Sequence, residues 1–524
     1  MIKKSIRFSG YLFAFLFIAA FLGCKAPNFD NPCDPNSKAH QDSLIAKAVT
    51  GDKSVFCLIA SASTGTSAGT STGTATSTAT GTVTSTSTGT GTSTGTGTGV
   101  AVTLTGFSFV DTTNELSQTY SGTISGTSIS INLPYGKASA AIPTLTTNAV
   151  TILAGGSAFT SGVTAVDFSS PVTFTLTSST GSVQIYTVTA YLVAPVEDTG
   201  QDLCYVEGFN TPAVSVACAT SAATYPRQDG DFVGFPNAKG YQMPTVNAGY
   251  PSDYINKNTV KGIVWKTCAE GWSDATCSTG STNNMDLPTA TAACDALNTA
   301  NAGAGYAGLK TWRLPSFQEL LQLQTYNQNG IFMDSTYFPN AQNVNHKSST
   351  IVAGTGNVLS VNGGIGSSAP VTLEAVRCVA GSPYPAQDLV DNGDGTILDK
   401  RTSLVWEKCA LGQSGTNCAT GTATNYNEPN GLTACQSEVL AGKSWRLPNN
   451  TEMLSIFDPT QIASPYVNAT YFPTPSVSIY RTSTTVFAND AYAYEFDSVN
   501  LTLGTTNNKS TGAAGYQARC VSGP

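Results

Sequence analysis

Histidine is nearly missing: the 524 residues hold two, His40 and His346, far apart in sequence. Chemistry that needs a histidine cluster is thereby excluded. Charge is also scarce. Asp, Glu, Lys and Arg make up 11% of the chain, against about 25% in ordinary globular proteins. Positive charge is the scarcer sign, with 25 Lys+Arg against 33 Asp+Glu, a net charge of −8 and a pI near 4.9. That excludes a bulk nucleic-acid binder, which presents a basic face. No Cys-x-x-Cys occurs, so zinc and thioredoxin chemistry lack a ligand pattern. Gly442-Lys443-Ser444 resembles the end of a phosphate-binding loop, but Ser437 stands where that loop needs glycine. The longest apolar run, Tyr11 to Leu22, is twelve residues, short of the ~20 that span a membrane as a helix.

That run follows Lys3, Lys4 and Arg7 and ends Phe21-Leu22-Gly23-Cys24. Positive start, apolar middle and a small residue before cysteine make residues 1–23 a signal peptide. The site resembles a bacterial lipoprotein cleavage site, with Phe21 where leucine is usual. The resemblance implies lipid on Cys24, membrane attachment through acyl chains and an outer-membrane location in the cell envelope. Thirteen cysteines less Cys24 leave twelve, an even number suited to an oxidising compartment. Residues 24–60 form a polar segment with a possible helix from Ser37 to Val49, flanked by Cys33 and Cys57. Residues 61–99 are almost pure Ser, Thr, Gly and Ala. Such a composition cannot offset its ordering entropy and reads as a stalk. Its G-x-S-x-G matches, such as Gly65–Gly69 and Gly91–Gly95, lack the strand–turn–helix setting of a nucleophile elbow.

Over 100–195 the period changes to two. Ile129, Ile131 and Leu133 alternate with Ser130 and Asn132. Val172, Phe174 and Leu176 alternate with threonines, and Tyr186, Val188, Ala190 and Leu192 follow. Short alternating strands broken by Gly and Pro predict a β-sandwich. The stretch resembles bacterial immunoglobulin-like surface modules, which implies an all-β spacer or adhesion domain.

The remainder repeats itself. Trp265, Cys268, Cys277 and Cys294 recur as Trp406, Cys409, Cys418 and Cys435. Trp312-Arg313-Leu314-Pro315 recurs as Trp445-Arg446-Leu447-Pro448, Thr336–Pro339 as Thr470–Pro473, and Arg377-Cys378-Val379 as Arg519-Cys520-Val521. With Asp391-Asn392-Gly393-Asp394-Gly395-Thr396, this pattern resembles the Lcl C-terminal domain family, in two copies at 196–383 and 384–524. The resemblance implies two disulfide-bonded α+β modules, similar to the C-type-lectin-like fold, on a bacterial surface and tied to adhesion and glycan binding. In the first copy Tyr250 replaces Asp391, and the stretch after Ser349-Thr350 is shorter than that after Ser483-Thr484. A peripheral hairpin is expected to be missing there.

After each Trp-Arg-Leu-Pro come Ser316-x-x-Glu319 and Asn449-x-x-Glu452. Both are capping boxes that start short helices, which accounts for the glutamates without acid–base chemistry. Arg313 and Arg446 are expected to pair with a carboxylate and stack on the neighbouring Trp. Asp391, Asp394 and Asp399 are the calcium-type set, but Asn-Gly and Asp-Gly are tight-turn dipeptides, and a turn is preferred. No cofactor or other metal is called for. Both copies are acidic, with nine Lys/Arg against fourteen Asp/Glu in the first and eight against twelve in the second. A sulfated-polysaccharide binder normally presents basic side chains, so if the partner is a glycan rather than a matrix protein, a neutral glycan, or a local basic spot, is expected instead.

The expected protein is a non-enzymatic surface lipoprotein that binds an extracellular glycan or protein. An enzyme akin to the formylglycine-generating fold, which needs unpaired cysteines, and a purely structural spacer are the rivals. The repeat restricts the disulfides, because both copies should share one solution: Cys268–Cys277 with Cys409–Cys418, and Cys294–Cys378 with Cys435–Cys520. Proximity adds Cys204–Cys218 and Cys33–Cys57.

Overall fold

Alternating sequence places the first layers of structure. A computed structural model describes residues 100–523, apart from 209–212, 328–332, 342–343, 363–364, 474–478, 499–502 and 511–515. Cys24, Cys33, Cys57, the segment Ser37 to Val49 and the 61–99 stretch lie outside the described residues. The strands of the N-terminal domain are β1 (Leu104–Phe109), β2 (Tyr120–Ser121), β3 (Thr123–Ser125), β4 (Ser128–Pro134), β5 (Thr144–Thr147), β6 (Thr151–Ala154), β7 (Ser157–Ala158), β8 (Val172–Thr177) and β9 (Val183–Val193). They form a sheet of order β2-β1-β5 and another of order β3-β4-β9-β8-β6-β7. Along β8 the two-residue period turns Phe174 and Leu176 inward, and β9 adds Tyr186 and Val188. Phe109 meets Phe168 edge-on at 5.1 Å and Phe107 meets Phe174 at 5.5 Å. Each such buried side chain contributes about 1.5–3 kcal/mol. β4 runs parallel to β9, with Ile129 opposite Val188 and Asn132 opposite Tyr191.

Just after β4 the sandwich is fastened to the repeats. The Gly136 N–H donates to the Lys261 carbonyl at 3.0 Å. A Cβ on Gly136 would lie 2.5 Å from the Gly262 carbonyl carbon, so only glycine allows this approach. Next to it, the buried Tyr135 hydroxyl donates to Glu319 Oε1 at 2.8 Å.

Each repeat builds a small sheet from its Trp-bearing strand. In the first, strands Thr245–Asn247, Tyr250–Asn258, Ile263–Lys266, Val379–Ala380 and Trp312–Arg313 lie in that order. In the second, the order is Leu389–Asp391, Thr396–Asp399, Leu404–Glu407 and Val521–Ser522. The cysteine-bearing helices span Leu287–Ala296 and Glu428–Ser437, capped by Asp286 and Asn427 with proline in the first turn. The second ends at Ser437, and Leu440–Gly442 forms a separate 3-10 turn.

The two copies are not independent modules. Strands His346–Ile351, Val358–Val361 and Ile365–Ser368 of the first join Leu503–Asn508, Tyr492–Asp497 and Ile479–Thr485 of the second in one seven-stranded sheet completed by Tyr516–Gln517. Ile365 pairs with Leu503 at the seam. One apolar core runs through both copies, with Phe317 of the first edge-on to Phe457 of the second at 5.0 Å. The expected loss of a hairpin from the first copy is corrected: its three-stranded meander is present. What shrinks is the final parallel strand, which in the first copy is a single bridge between His346 and Ala375. The segment 196–244, read from sequence as part of the first copy, reaches the second as well. The Gln201 side chain exchanges hydrogen bonds with the Thr485 backbone, at 2.9 Å to its carbonyl and 3.0 Å from its N–H.

Candidate functional site

The repeated motifs first explain one another. Ser316 and Asn449 cap the helices Phe317–Leu321 and Asn450–Ser455, and Glu319 and Glu452 close the boxes. The same carboxylates hold the motif arginines. Arg313 Nη1 and Nη2 donate to Glu319 at 2.8 and 2.7 Å, and Arg446 grips Glu452 with the same two-pronged geometry. Neither arginine has a ring contact with Trp312 or Trp445. Those indole N–H groups donate instead to the carbonyls of Tyr306 and Leu440, at 3.0 and 2.9 Å. Pro315 and Pro448 accept at their carbonyls from Ser349 N and Ser483 N, at 2.7 and 2.9 Å, tying each motif to the shared sheet.

Arg446 lies over Phe232 at 5.4 Å, and a second arginine of each copy also stacks on a ring. Arg377 and Arg519 lie over Phe338 and Phe472 at 5.0 and 5.1 Å, joining Arg-Cys-Val to Thr-Tyr-Phe-Pro. Their guanidinium groups donate to the backbone carbonyls at 266–267 and 407–408, just after each Trp strand. His346 is buried here. Burial and the Arg377 charge lower it to about 3, which leaves it neutral.

Disulfides join Cys204–Cys218, Cys268–Cys277, Cys294–Cys378, Cys409–Cys418 and Cys435–Cys520. Cys294 with Cys378, and Cys435 with Cys520, are buried in the local core of each copy beside Trp312 and Trp445. The three aspartates of the calcium-type set are held apart. Asp391 accepts from Gly393 N at 2.9 Å and pairs with Lys408 at 2.7 Å. Asp394 accepts from Thr396 N at 3.0 Å, and Asp399 pairs with Arg401 at 3.0 Å. Asp391 and Asp394 belong to a turn, Asp399 ends the strand after it, and among the described residues the three do not gather as a metal-ligating cluster.

That turn walls a cleft of about 380 Å³ in the second copy, with the Cys409–Cys418 loop opposite. Asp391, Glu407, Lys408, Gln413, Ser414 and Leu440 line it. Glu407 is buried and accepts from Cys520 N at 2.8 Å. Burial, against that hydrogen bond and with Glu438 adding to it, pushes Glu407 up to about 7.

In the first copy Trp272 stands for Gln413, Lys266 for Glu407 and Tyr306 for Leu440. Tyr250, the counterpart of Asp391 in sequence, opens strand Tyr250–Asn258, the counterpart of Thr396–Asp399, whereas Asp391 ends the strand before it. Tyr250 lies so close to Gly308 that a Cβ there would meet its ring at 3.0 Å. Lys266 pairs with Glu270 at 2.9 Å and lies 5.8 Å from the Tyr306 ring centre. Sequence comparison of the copies exposed the Tyr250–Asp391 difference. The Tyr306–Leu440 equivalence needs the 3-10 turns that carry them, Tyr306–Gly308 and Leu440–Gly442.

A second concavity, of about 480 Å³, lies on the sandwich. Gln118, Thr119, Tyr120, Ser130, Asn132 and Tyr191 line it, and no charged side chain does. Tyr191 is 48% exposed.

These features define a mainly β, multidomain protein with disulfide-rich α+β repeats behind a β-sandwich. Residues 255–380 and 395–522 match the Lcl C-terminal domain, and residues 111–190 match the SGBP N-terminal domain. The chain thus carries two Lcl C-terminal domain repeats, and its sandwich matches the SGBP N-terminal domain. No curated protein matches the chain. Among solved structures, a crystal structure from Bacteroides thetaiotaomicron described as a candidate glycoside hydrolase shares 18% identity at a TM-score of 0.13. The match covers 32% of this chain and half the length of that one, and a likeness this low carries no argument.

Proposed function

We propose that this is a surface-exposed bacterial lipoprotein that binds a neutral glycan through its sandwich, with lipid on Cys24 and the 61–99 stalk holding it off the membrane. The observation that carries the reading is the sandwich groove. It lies in the domain that matches a family named for surface glycan-binding proteins. Its lining is hydroxyl, amide and tyrosine. A sugar ring offers an apolar face of C–H groups and a rim of hydroxyls. Tyr191 supplies the apolar platform, and Asn132, beside it in register, and Gln118 supply both donors and acceptors. The disulfide-bonded state of the repeat cysteines weighs against formylglycine-generating chemistry, which needs them free.

Calorimetric titration with neutral β-glucan and mannan oligosaccharides tests the proposal. Saturable binding lost at least tenfold in Tyr191→Ala is the expected result. Absence of binding to every neutral glycan, or binding indifferent to both Tyr191→Ala and Asn132→Ala, would overturn it.

A further inference from the structure

Duplication provides an internal control for the cleft of the second repeat. The two copies differ around this cleft: Trp272 and Tyr306 of the first stand where Gln413 and Leu440 line it in the second. In the first copy a cation, Lys266, occupies the position of Glu407, and its partner Glu270 is supplied four residues on. In the second copy Leu411 stands where Glu270 would be. Glu407 thus has no salt-bridge partner among the described residues. One oxygen takes the Cys520 N–H, and the side chain lines the cleft. A buried carboxylate without an ion-pair partner is an unmet electrostatic demand. The Arg519 charge meets it only in part, because burial and Glu438 outweigh it. At the mouth Asp391 is 39% exposed and paired with Lys408. Gln413 and Ser414 add amide and hydroxyl groups.

We propose that the cleft of the second repeat binds a saccharide bearing a free amino group, with the ligand's ammonium on Glu407 and its hydroxyls on Asp391, Gln413 and Ser414. The volume of about 380 Å³ lies within the usual range for small-molecule sites. The ammonium supplies the charge that Lys266 supplies from within the chain in the first copy. A neutral or N-acetylated sugar lacks that charge and leaves Glu407 as it was. The acidic protein, at net charge −8, favours the approach of such a cation. This site is separate from the sandwich groove and stands or falls apart from it.

The test titrates the full chain with a glucosamine tetramer, an N-acetylglucosamine tetramer and a glucose tetramer. Two variants probe the cleft: Glu407→Gln, which removes the charge, and Leu440→Tyr with Gln413→Trp, which fills the cleft with the residues of the first copy. Tyr191→Ala serves as the control for the other groove. The glucosamine tetramer should bind at least tenfold more tightly than its N-acetylated form. Both cleft variants should abolish that preference, and Tyr191→Ala should leave it intact. No binding of the glucosamine tetramer, no preference over the N-acetylated form, or a preference that survives both cleft variants would overturn the assignment. Loss through Tyr191→Ala alone would move amino-sugar binding to the sandwich and refute this site.

Discussion

Replacing Arg313 with methionine tests the arrangement on which the first repeat and the sandwich both depend. The fully buried Glu319 carboxylate accepts from Arg313 Nη1 at 2.8 Å, Arg313 Nη2 at 2.7 Å, Ser316 N at 2.8 Å and the Tyr135 hydroxyl at 2.8 Å. Methionine removes the two charge-assisted donors and leaves the neutral ones. Removing one partner of a buried pair costs about 3–5 kcal/mol, and two hydrogen bonds to a charged group sum to a similar figure. The Arg313 side chain is 19% exposed, so water replaces part of what is lost, and the lower end, about 3 kcal/mol, is expected. Acidity gives the signature. Burial pushes the Glu319 carboxyl up, but the Arg313 charge and hydrogen bonds outweigh it and hold it below its ordinary range. The wild-type pair therefore stabilises the fold above the ordinary carboxylate pKa, and that contribution fades as pH falls through the lowered one. In Arg313→Met burial is opposed only by the Ser316 and Tyr135 hydrogen bonds, and its penalty disappears once Glu319 is protonated. The gap between the two proteins should thus be widest near pH 7 and shrink toward pH 4. Urea unfolding followed by tryptophan fluorescence at both pH values measures it, and Arg313→Met with Glu319→Gln should recover part of the loss. A deficit below about 1 kcal/mol, or one equal at both pH values, would refute the reasoning.

The disulfides give a second comparison. Cys435–Cys520 spans 85 residues and Cys409–Cys418 spans 9, so the chain-entropy model assigns them about 4–5 and about 3 kcal/mol. Cys435→Ala should lower the urea midpoint more than Cys409→Ala, and equal midpoints would contradict the assignment. Glu407, pushed up to about 7, binds its proton more tightly folded than unfolded. Stability should therefore fall by about 3 kcal/mol as pH rises from about 4.5 to 7, and Glu407→Gln should flatten that slope in pH-dependent unfolding. Cys24→Ser should release the protein from the membrane fraction into the detergent-free supernatant, and unchanged partitioning would reject the lipid anchor.

Local rules made part of this legible in the sequence. The capping boxes at Ser316 and Asn449 need only four residues to be recognised, and β8 and β9 show their buried faces by alternation. The cysteine register narrowed the disulfides because two copies must share one solution. Long-range pairings were hidden. The strand His346–Ile351 reads as a polar surface segment, and nothing in it announces that its meander continues into the second repeat. The carboxylate partner of Arg313 lies six residues on, within reach of a local rule, and the expected stack on Trp312 does not form. Arg446 and Arg377 stack on rings that lie far from them in sequence, Phe232 and Phe338. Around the cleft, the exchanges of Lys266 for Glu407 and Trp272 for Gln413 follow the repeat offset, whereas Tyr306 for Leu440 needs the 3-10 turns.

The seam at Ile365 and Leu503 sets how many repeats such a chain can hold. An uncovered sheet edge recruits whatever strand it meets. Here each copy shields the margin of its twin, so the tandem is a dimer written into a single polypeptide. A contact made by the same patch on both sides is saturated at two. A third copy would find both edges of this seam already taken, so a protein of this kind gains reach through its stalk or sandwich, not by repeating the same contact. Severing the chain after residue 383 would bare the margin again, and the severed piece would seek a second molecule to replace the lost twin.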